Sequence, residues 1–441
     1  MQRGAQQLTS FDLTIVVISL VIGMGIFRTP TEVAGYAGTP MIFFLAWAAG
    51  ALISYFGALT FAEIGSRYPA TGGFYKIFSY CYSPVFAFMV NWITVISNAA
   101  STAAVAIMGS EYLASVLAPE SAYLSQFIAF FTVVMLMIIN LMGIRVSKSV
   151  LNALMILKVL FILLLISCAF LPSQEVALLK EAPTHNSDAN SFTAFLLCFV
   201  PVFFTYGGYQ QTMNFGGDVA TPSSTLPRAI SRGILLVMLL YLAVNFSYFE
   251  VLGMDGMAST KTLASDVIGS VFGPTSSMIV SVILFFAVMT YVNVSIMSNP
   301  RVYFAMAEDK VMPAAFLKVN ERTNVQTTGV VVFCGMILLT LLFVSSFQKI
   351  LEYVMFFDSI SLIAAAAAIF VLRRRKTGER EPALYRMKGY PLVPILYIAI
   401  YGAVNISVLI ANPAAFGWGA LLFILGFPLF YLIRRMISGR S

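Results

Sequence analysis

Runs of roughly 20 apolar residues, each able to cross about 30 Å of hydrocarbon, recur along the whole 441-residue chain. They fall at 12–37, 41–65, 84–114, 122–143, 149–171, 191–217, 227–252, 274–306, 326–347, 349–372, 390–411 and 415–434. Hydrophobic residues make up 59% of the chain and charged residues 10%, a balance that excludes a soluble globule. The expected fold class is all-α and polytopic, with about twelve transmembrane helices in one membrane domain over 1–441 and no soluble domain of useful size. The run that begins at Leu13 continues too far for a signal peptide and lacks a small-residue cleavage site, so it is expected to remain as a span.

The formal net charge of +7 follows loop position and is not a nucleic-acid signal. With the N-terminus inside, one side of the membrane collects Arg67, Lys76, Arg145, Lys148, Arg228, Arg232, Arg301, Lys310, Lys318, Arg322, the run Arg373-Arg374-Arg375-Lys376, and Arg434, Arg435 and Arg440. Only Arg28, Lys158, Lys180, Lys261 and Lys349 fall elsewhere. This is the positive-inside pattern, and it places both termini in the cytoplasm of a cell (inner) membrane protein. The four cysteines, Cys81, Cys168, Cys198 and Cys334, lie in or beside spans without metal-ligand spacing. They read as small packing residues, and neither a metal nor a cofactor is expected. His185, the sole histidine, sits in an outer loop with no ligand partners.

Two spans are broken by glycine at matching places. The stretch 13–36 is interrupted by Gly23-Met24-Gly25, and 192–215 by Tyr206-Gly207-Gly208-Tyr209. Glycine costs about 1 kcal/mol relative to alanine inside a helix. At mid-bilayer depth, freed backbone is tolerated only where it lines a cavity or packs in protein. A matched pair of such spans points to the substrate site of a secondary transporter. If each break opens a five-span unit, 12–172 and 191–373 form an inverted pair, because an odd number of crossings turns the second unit over. The last two helices, 390–436, would be an appendage.

The motifs around these breaks resemble the amino acid–polyamine–organocation (APC) superfamily of permeases. Gly23-Met24-Gly25-Ile26-Phe27 is similar to its broken first helix. Glu63-Ile64-Gly65-Ser66-Arg67-Tyr68-Pro69 followed by Gly72-Gly73-Phe74-Tyr75 is similar to its loop after the second helix. Phe204-Thr205-Tyr206-Gly207-Gly208-Tyr209 resembles the sixth-helix break, and Pro227-Arg228-Ala229-Ile230 the entry to the seventh helix. Arg301-Val302-Tyr303-Phe304-Ala305-Met306-Ala307 with Pro313, and Tyr385-Arg386 with Gly389-Tyr390-Pro391, complete an ordered series over nearly the whole chain. Within the superfamily the chain looks most like the L-type amino acid transporters and their bacterial relatives. The resemblance implies a LeuT-like five-plus-five inverted repeat with helices 1 and 6 broken.

The chemistry of an α-amino acid zwitterion fits the breaks. A helix restarting near Gly25 presents unpaired N–H groups and its positive dipole end to a carboxylate, and Pro30 suits the first turn of that half-helix. Unwound backbone around 204–207 offers carbonyls to an ammonium group, at roughly 1.5–3 kcal/mol per charge-assisted bond. The resemblance carries the same arrangement to Gly23, Met24, Gly25 and Ile26 for the carboxylate, and to Phe204, Thr205, Tyr206 and Gly207 for the amine. It also implies a gating role for Phe204 over the substrate. Met24 departs from the family's small hydroxyl residue, and Tyr209 from its usual tryptophan, which leaves the shape of the side-chain pocket open.

Lys158 stands alone in its apolar span, about nine residues or ~14 Å from the cytoplasmic end, deeper than a lysine escapes by snorkelling. The resemblance implies that it fills the region where sodium binds in cousins, tying the fifth helix to the first break and to Ser295 and Asn293 on the eighth. Asp358, near the middle of its span, is the second ionisable group at depth. Lys158 and Asp358 are therefore candidate proton sites, and Asp358 reads equally as a gate contact or an interhelical acceptor. Arg28 reads either as part of an outer gate or as a rim residue facing water. Glu63, Arg67 and Asp218 read either as cytoplasmic gate contacts or as solvated surface. Asn98, Ser101, Thr102 and Ser298 read as ordinary helix adhesives.

A membrane-embedded enzyme would need a reactive cluster, and the chain has no HExxH, Walker loop or GxGxxG. A channel would need rings of charge or a filter repeat. The expectation is therefore a sodium-independent secondary transporter of amino acids, neutral L-amino acids above all, working by exchange or facilitated transport. Proton-coupled symport is the alternative. The loop at about 115–122 lacks the cysteine through which animal relatives bind a glycoprotein, so no heavy-chain glycoprotein partner is expected.

Overall fold

The computed structural model describes residues 10–438 apart from 69–72, 119, 122, 144–147, 173–190, 211, 213–220, 321–324, 344–346, 380–383 and 412. Sixteen α-helices follow one another: α1 (Ser10–Val21), α2 (Thr29–Ala37), α3 (Pro40–Arg67), α4 (Gly73–Cys81), α5 (Pro84–Leu117), α6 (Leu124–Leu141), α7 (Lys148–Ser167), α8 (Ser191–Tyr206), α9 (Pro222–Ser259), α10 (Leu263–Phe272), α11 (Pro274–Ser298), α12 (Pro300–Glu308), α13 (Thr327–Phe343), α14 (Phe347–Arg374), α15 (Leu392–Ala411) and α16 (Pro413–Ser438). Among the described residues the only extended pairing is an isolated bridge between Asn320 and Val325. Asp218 and His185 lie outside the described residues.

Helix starts follow local chemistry. Pro40 and Pro84 open α3 and α5, where their missing N–H would have no partner in any case. The preceding Thr39 and Ser83 side chains accept from the amides of Ile42 and Phe86. In α9 Gly253 takes φ +67°, a left-handed value open to glycine, and the helix turns there into the segment that leads to α10.

The outer surface of the bundle is apolar. Phe127, Phe131 and Ile138 on α6, Leu342 and Phe343 on α13, and Phe427 and Leu432 on α16 are all exposed. Such a surface suits lipid as solvent. Five helices among the described residues are long and apolar enough to cross a membrane: Pro40–Arg67, Pro84–Leu117, Leu124–Leu141, Ser224–Ser259 and Pro274–Glu308. Shorter apolar helices include Thr327–Phe343 and Leu392–Ser407. The protein is thus an all-helical, multi-pass membrane protein.

Inside, helices approach through small residues, as is usual where lipid removes most of the hydrophobic driving force between helices. Gly50 of α3 meets Val202 of α8, Gly109 of α5 meets Val288 of α11, and Gly233 of α9 meets Val17 of α1. At the end of α3 the fully buried Glu63 carboxylate gathers three partners. It accepts from Nε of Arg67 at 2.7 Å, from Nε and Nη2 of Arg373 at 2.9 and 2.7 Å, and from the Met387 amide at 2.9 Å. Arg67 also donates to the Thr377 carbonyl at 3.1 Å, and the Arg373 guanidinium lies 3.7 Å from the centroid of the Tyr390 ring. Gly378, at φ +72°, sits so close to Arg67 that a Cβ would come within 2.8 Å of the Arg67 carbonyl oxygen. Glu63 and Arg67 are therefore a buried clasp between α3, α14 and the segment before α15, and the solvated-surface reading does not hold for them.

Candidate functional site

The first break is a true interruption. Helix α1 ends at Val21, residues 22–24 are non-helical, and a single 3₁₀ turn over Gly25–Phe27 leads into α2. The Gly23 amide turns back to the Val21 carbonyl at 2.6 Å, Phe27 N–H reaches the Met24 carbonyl at 3.1 Å, and Arg28 N–H reaches Gly25 at 2.9 Å. Among the described residues, the consecutive N–H groups of Met24, Gly25 and Ile26 have no hydrogen-bond acceptor. Three free amides at the head of a half-helix can receive a carboxylate by backbone alone.

The second break lies against the first. Helix α8 closes with Gly207 N–H on the Phe204 carbonyl at 3.3 Å, and Gly208 takes φ +110°. Residues 213–220, the far side of the sixth-span break, are outside the described residues. A Cβ on Gly25 would come within 3.0 Å of Thr205 Oγ1 and 3.2 Å of Thr205 Cα, so glycine is what lets the breaks touch. Thr29 Oγ1 is 2.5 Å from Thr205 Oγ1, 3.0 Å from the Gly25 carbonyl oxygen, and Thr205 Oγ1 is 2.8 Å from the Pro201 carbonyl oxygen. Two hydroxyl protons serve three contacts, so one of the three lacks a proton at any instant.

Helix α8 distributes its last side chains by its 100° rotation per residue. Phe203 stacks on Tyr401 of α15 with centroids 4.3 Å apart, and Thr205 faces the first break. Tyr206 packs on Trp47 of α3 and Tyr241 of α9 at 5.8 and 5.2 Å. Phe204 is half-buried, and the same rotation sets it on the opposite side of the helix from Tyr206. The side chains of Tyr206 and Tyr209 are committed elsewhere: Tyr209 packs on Phe61 at 6.0 Å, and its hydroxyl lies 3.1 Å from that of Tyr397.

One residue of this site escaped sequence reasoning. The Tyr241 hydroxyl on α9 donates to the Val21 carbonyl at 2.9 Å and stands 3.4 Å from the Thr205 carbonyl oxygen, spanning both breaks. A tyrosine within an apolar run carries no distinguishing signal in a chain with 20 of them.

Lys158 lies on α7 one turn before Phe161, whose ring is 5.5 Å from that of Phe27. Residues three apart share a helix face, so Lys158 is on the face turned to the first break. Neither of its expected eighth-helix partners is joined to it. Asn293 accepts from Asn140 at 2.7 Å, and among the described residues no hydrogen bond joins Lys158 to Asn293 or Ser295. Asp358 accepts from Ser97 of α5 at 2.5 Å, while Thr94 and Ser361 pair at 3.0 Å one turn away, so an interhelical acceptor is what the geometry displays. Arg28 does not face water: it is 5% exposed, with Glu32 at 2.9 Å and Glu111 of α5 at 3.6 Å.

These contacts separate the two glycines of the first break. Gly25→Val is expected to push Thr205 away and raise the KM for uptake at least about tenfold, as overpacking of a tight contact does. Gly23→Ala, whose added methyl would find its nearest atom 3.9 Å away, should transport like the parent. Uptake into proteoliposomes measures both.

An all-helical membrane protein whose broken first helix sets free amides against the end of a second broken helix has the make-up of a permease. The chain belongs to the amino acid permease family, whose pattern it matches over residues 8–434. It is similar to the serine/threonine exchanger SteT of Bacillus subtilis (strain 168), 29% identical over 432 residues and 96% of each chain. It is also similar to the Asc-type amino acid transporter 1 of Mus musculus, 24% identical over 430 residues, and to the large neutral amino acids transporter small subunit 2 of the same species, 25% identical over 435. Each of these alignments covers 95% of this chain and 79% of the relative. The resemblance to the L-type branch and its bacterial relatives thus holds. Amino acid transport is its class of function, and its relatives are transporters rather than enzymes.

Proposed function

We propose that this protein is a sodium-independent carrier of neutral L-amino acids that works by alternating access, with exchange or facilitated transport as its mode. The observation that carries the reading is the run of free N–H groups at Met24, Gly25 and Ile26 beside the end of α8. A carboxylate on those amides and an ammonium group on carbonyls near Phe204, Thr205 and Gly207 would hold a zwitterion without a charged side chain, with Phe204 closing over it. The absence of an acidic side chain among the residues of the sixth-span break, 204–209, favours neutral over cationic substrates.

Twelve spans, two inverted five-helix repeats over 12–172 and 191–373, and cytoplasmic termini in the inner membrane are the framework this reading requires. The positive-inside charge pattern supports it. Lys158, on the face of α7 turned to the first break, would supply the positive charge that sodium provides in cousins, with Ser295 and Asn293 as neighbours in some step of the cycle. No heavy-chain partner is needed in this scheme. Proton-coupled symport is the second reading, favoured by a half-buried carboxylate, Asp358, bonded to Ser97 within the bundle.

Purified protein heated with each of the twenty amino acids, with and without sodium, tests the proposal. Neutral L-amino acids should stabilise it equally in both buffers, by about 2.7 kcal/mol at a hundred times Kd. Stabilisation that appears only with sodium would overturn the sodium-independent site. Faster uptake when unlabelled substrate waits inside the vesicle would identify exchange.

A further inference from the structure

Two consecutive residues of α5 hold two consecutive residues just beyond the first break. The Tyr112 hydroxyl donates to the Phe27 carbonyl at 2.7 Å, and the Glu111 carboxylate lies 3.6 Å from Nε of Arg28. Phe27, Arg28 and Tyr112 are buried, and the Glu111 side chain is 12% exposed. An ion pair on a wet surface contributes little, but one withdrawn from water is weakly screened. These contacts cross from α2 to α5, which belong to different parts of the bundle: α2 leans on α8 and α9, and α5 on α11, α13 and α14.

We infer that Glu111 and Tyr112 form the outer latch of the carrier: positioning residues that clamp α2 to α5 and must release it for the outer path to open. The inference rests on the reading of the chain as an alternating-access carrier with α2 directed outward. The arrangement of charge makes the latch reversible. Arg28 keeps Glu32, one turn along its own helix at 2.9 Å, so the guanidinium takes a counter-ion with it when α2 withdraws. Glu111 is left to the water that enters the opening path. The uncompensated buried charge that makes a broken ion pair so costly therefore never forms. Tyr112 adds a neutral, directional bond that sets the height of the 3₁₀ turn over Gly25–Phe27, and with it the free amides beside that turn. Closing the outer side and shaping the carboxylate site are thus one act.

Thr31 provides a reporter. It lies on α2 three residues beyond Arg28, on the same helix face, and its buried hydroxyl has no hydrogen-bond partner among the described residues. Thr31→Cys protein in sided proteoliposomes is treated with a membrane-impermeant maleimide from either side. The parent, whose four cysteines are buried, gives the background. Glu111→Gln should raise labelling from the outside at least about tenfold, the response to losing one charge-assisted contact, and Tyr112→Phe about threefold for a neutral one. Glu111→Asp should restore most of the parent's protection. The ratio of outside to inside KM for L-threonine, used as the probe, should shift in the same order. A merely structural role would lower rate on both sides alike.

Outside labelling that is unchanged in Glu111→Gln and Tyr112→Phe overturns the latch. Labelling of Thr31→Cys from the inside alone overturns it by reversing the topology. Should Glu111→Gln fail to accumulate, Tyr112→Phe carries the same test. A parent that shows no threonine counterflow but keeps the labelling response would remove the proposed substrate and leave the latch standing.

Discussion

Glu63→Ala is expected to destabilise the protein by roughly 3–5 kcal/mol, the cost of removing one partner from a buried ion pair. Thermal unfolding of the detergent-purified protein measures it. The size follows from the geometry: one fully buried carboxylate receives Nε of Arg67, a two-pronged contact from Arg373 and the Met387 amide. Its loss leaves Arg67, whose side chain is only 2% exposed, without a counter-charge and the Met387 amide without an acceptor. Glu63→Gln separates charge from shape. It keeps one oxygen but turns an NH₂ toward a guanidinium, so it too should fall well below the parent. A Glu63→Ala protein that unfolds at the parent's temperature would show that the clasp between α3 and α14 contributes nothing net.

Lys158→Ala should bring uptake to background while leaving the protein folded and monodisperse. A lone ammonium deep in an apolar span is costly to place there and is kept for a reason. Here it shares a face of α7 with Phe161, which reaches Phe27 at the first break. Lys158→Met retains the length and packing of the stem without the charge. If the charge is what fixes the break, Met should fail as completely as Ala; if packing alone matters, Met should transport. Radiolabelled uptake with each variant, normalised to protein in the vesicle, decides between them. Robust transport by Lys158→Ala would reduce the residue to helix adhesive.

The elements and the breaks were legible in the sequence because they depend on local quantities. The length of an apolar run sets a span, and a glycine pair within it sets an interruption, whatever lies around them. Gly23-Met24-Gly25 and Gly207-Gly208 therefore announced the candidate site before any packing was known. What the sequence withheld depends on which helices meet. Arg28 stood between two readings until Glu111 of α5 was found beside it, and Glu63 until Arg373, 310 residues away, was found on it. Tyr241, which touches both breaks, is written like any other aromatic in a membrane helix. The pairing of Lys158 with Asn293 was expected from resemblance alone, and the amide of Asn140 occupies that acceptor instead. The resemblance set Tyr209 at the family's tryptophan position and left the pocket's shape open; the left-handed Gly208 precedes it, and its ring turns toward Phe61 and Tyr397.

That turn of Tyr209 alters the standing of the last two helices. Phe203 and Tyr209 flank the glycine pair on either side, and both are seated on α15, one against Tyr401 and the other against Tyr397. The element that looked like an add-on thus forms the bench on which the unwound piece rests. A shortened carrier ending after α14 would keep every group of the proposed site and yet lose the footing that keeps half of them in place.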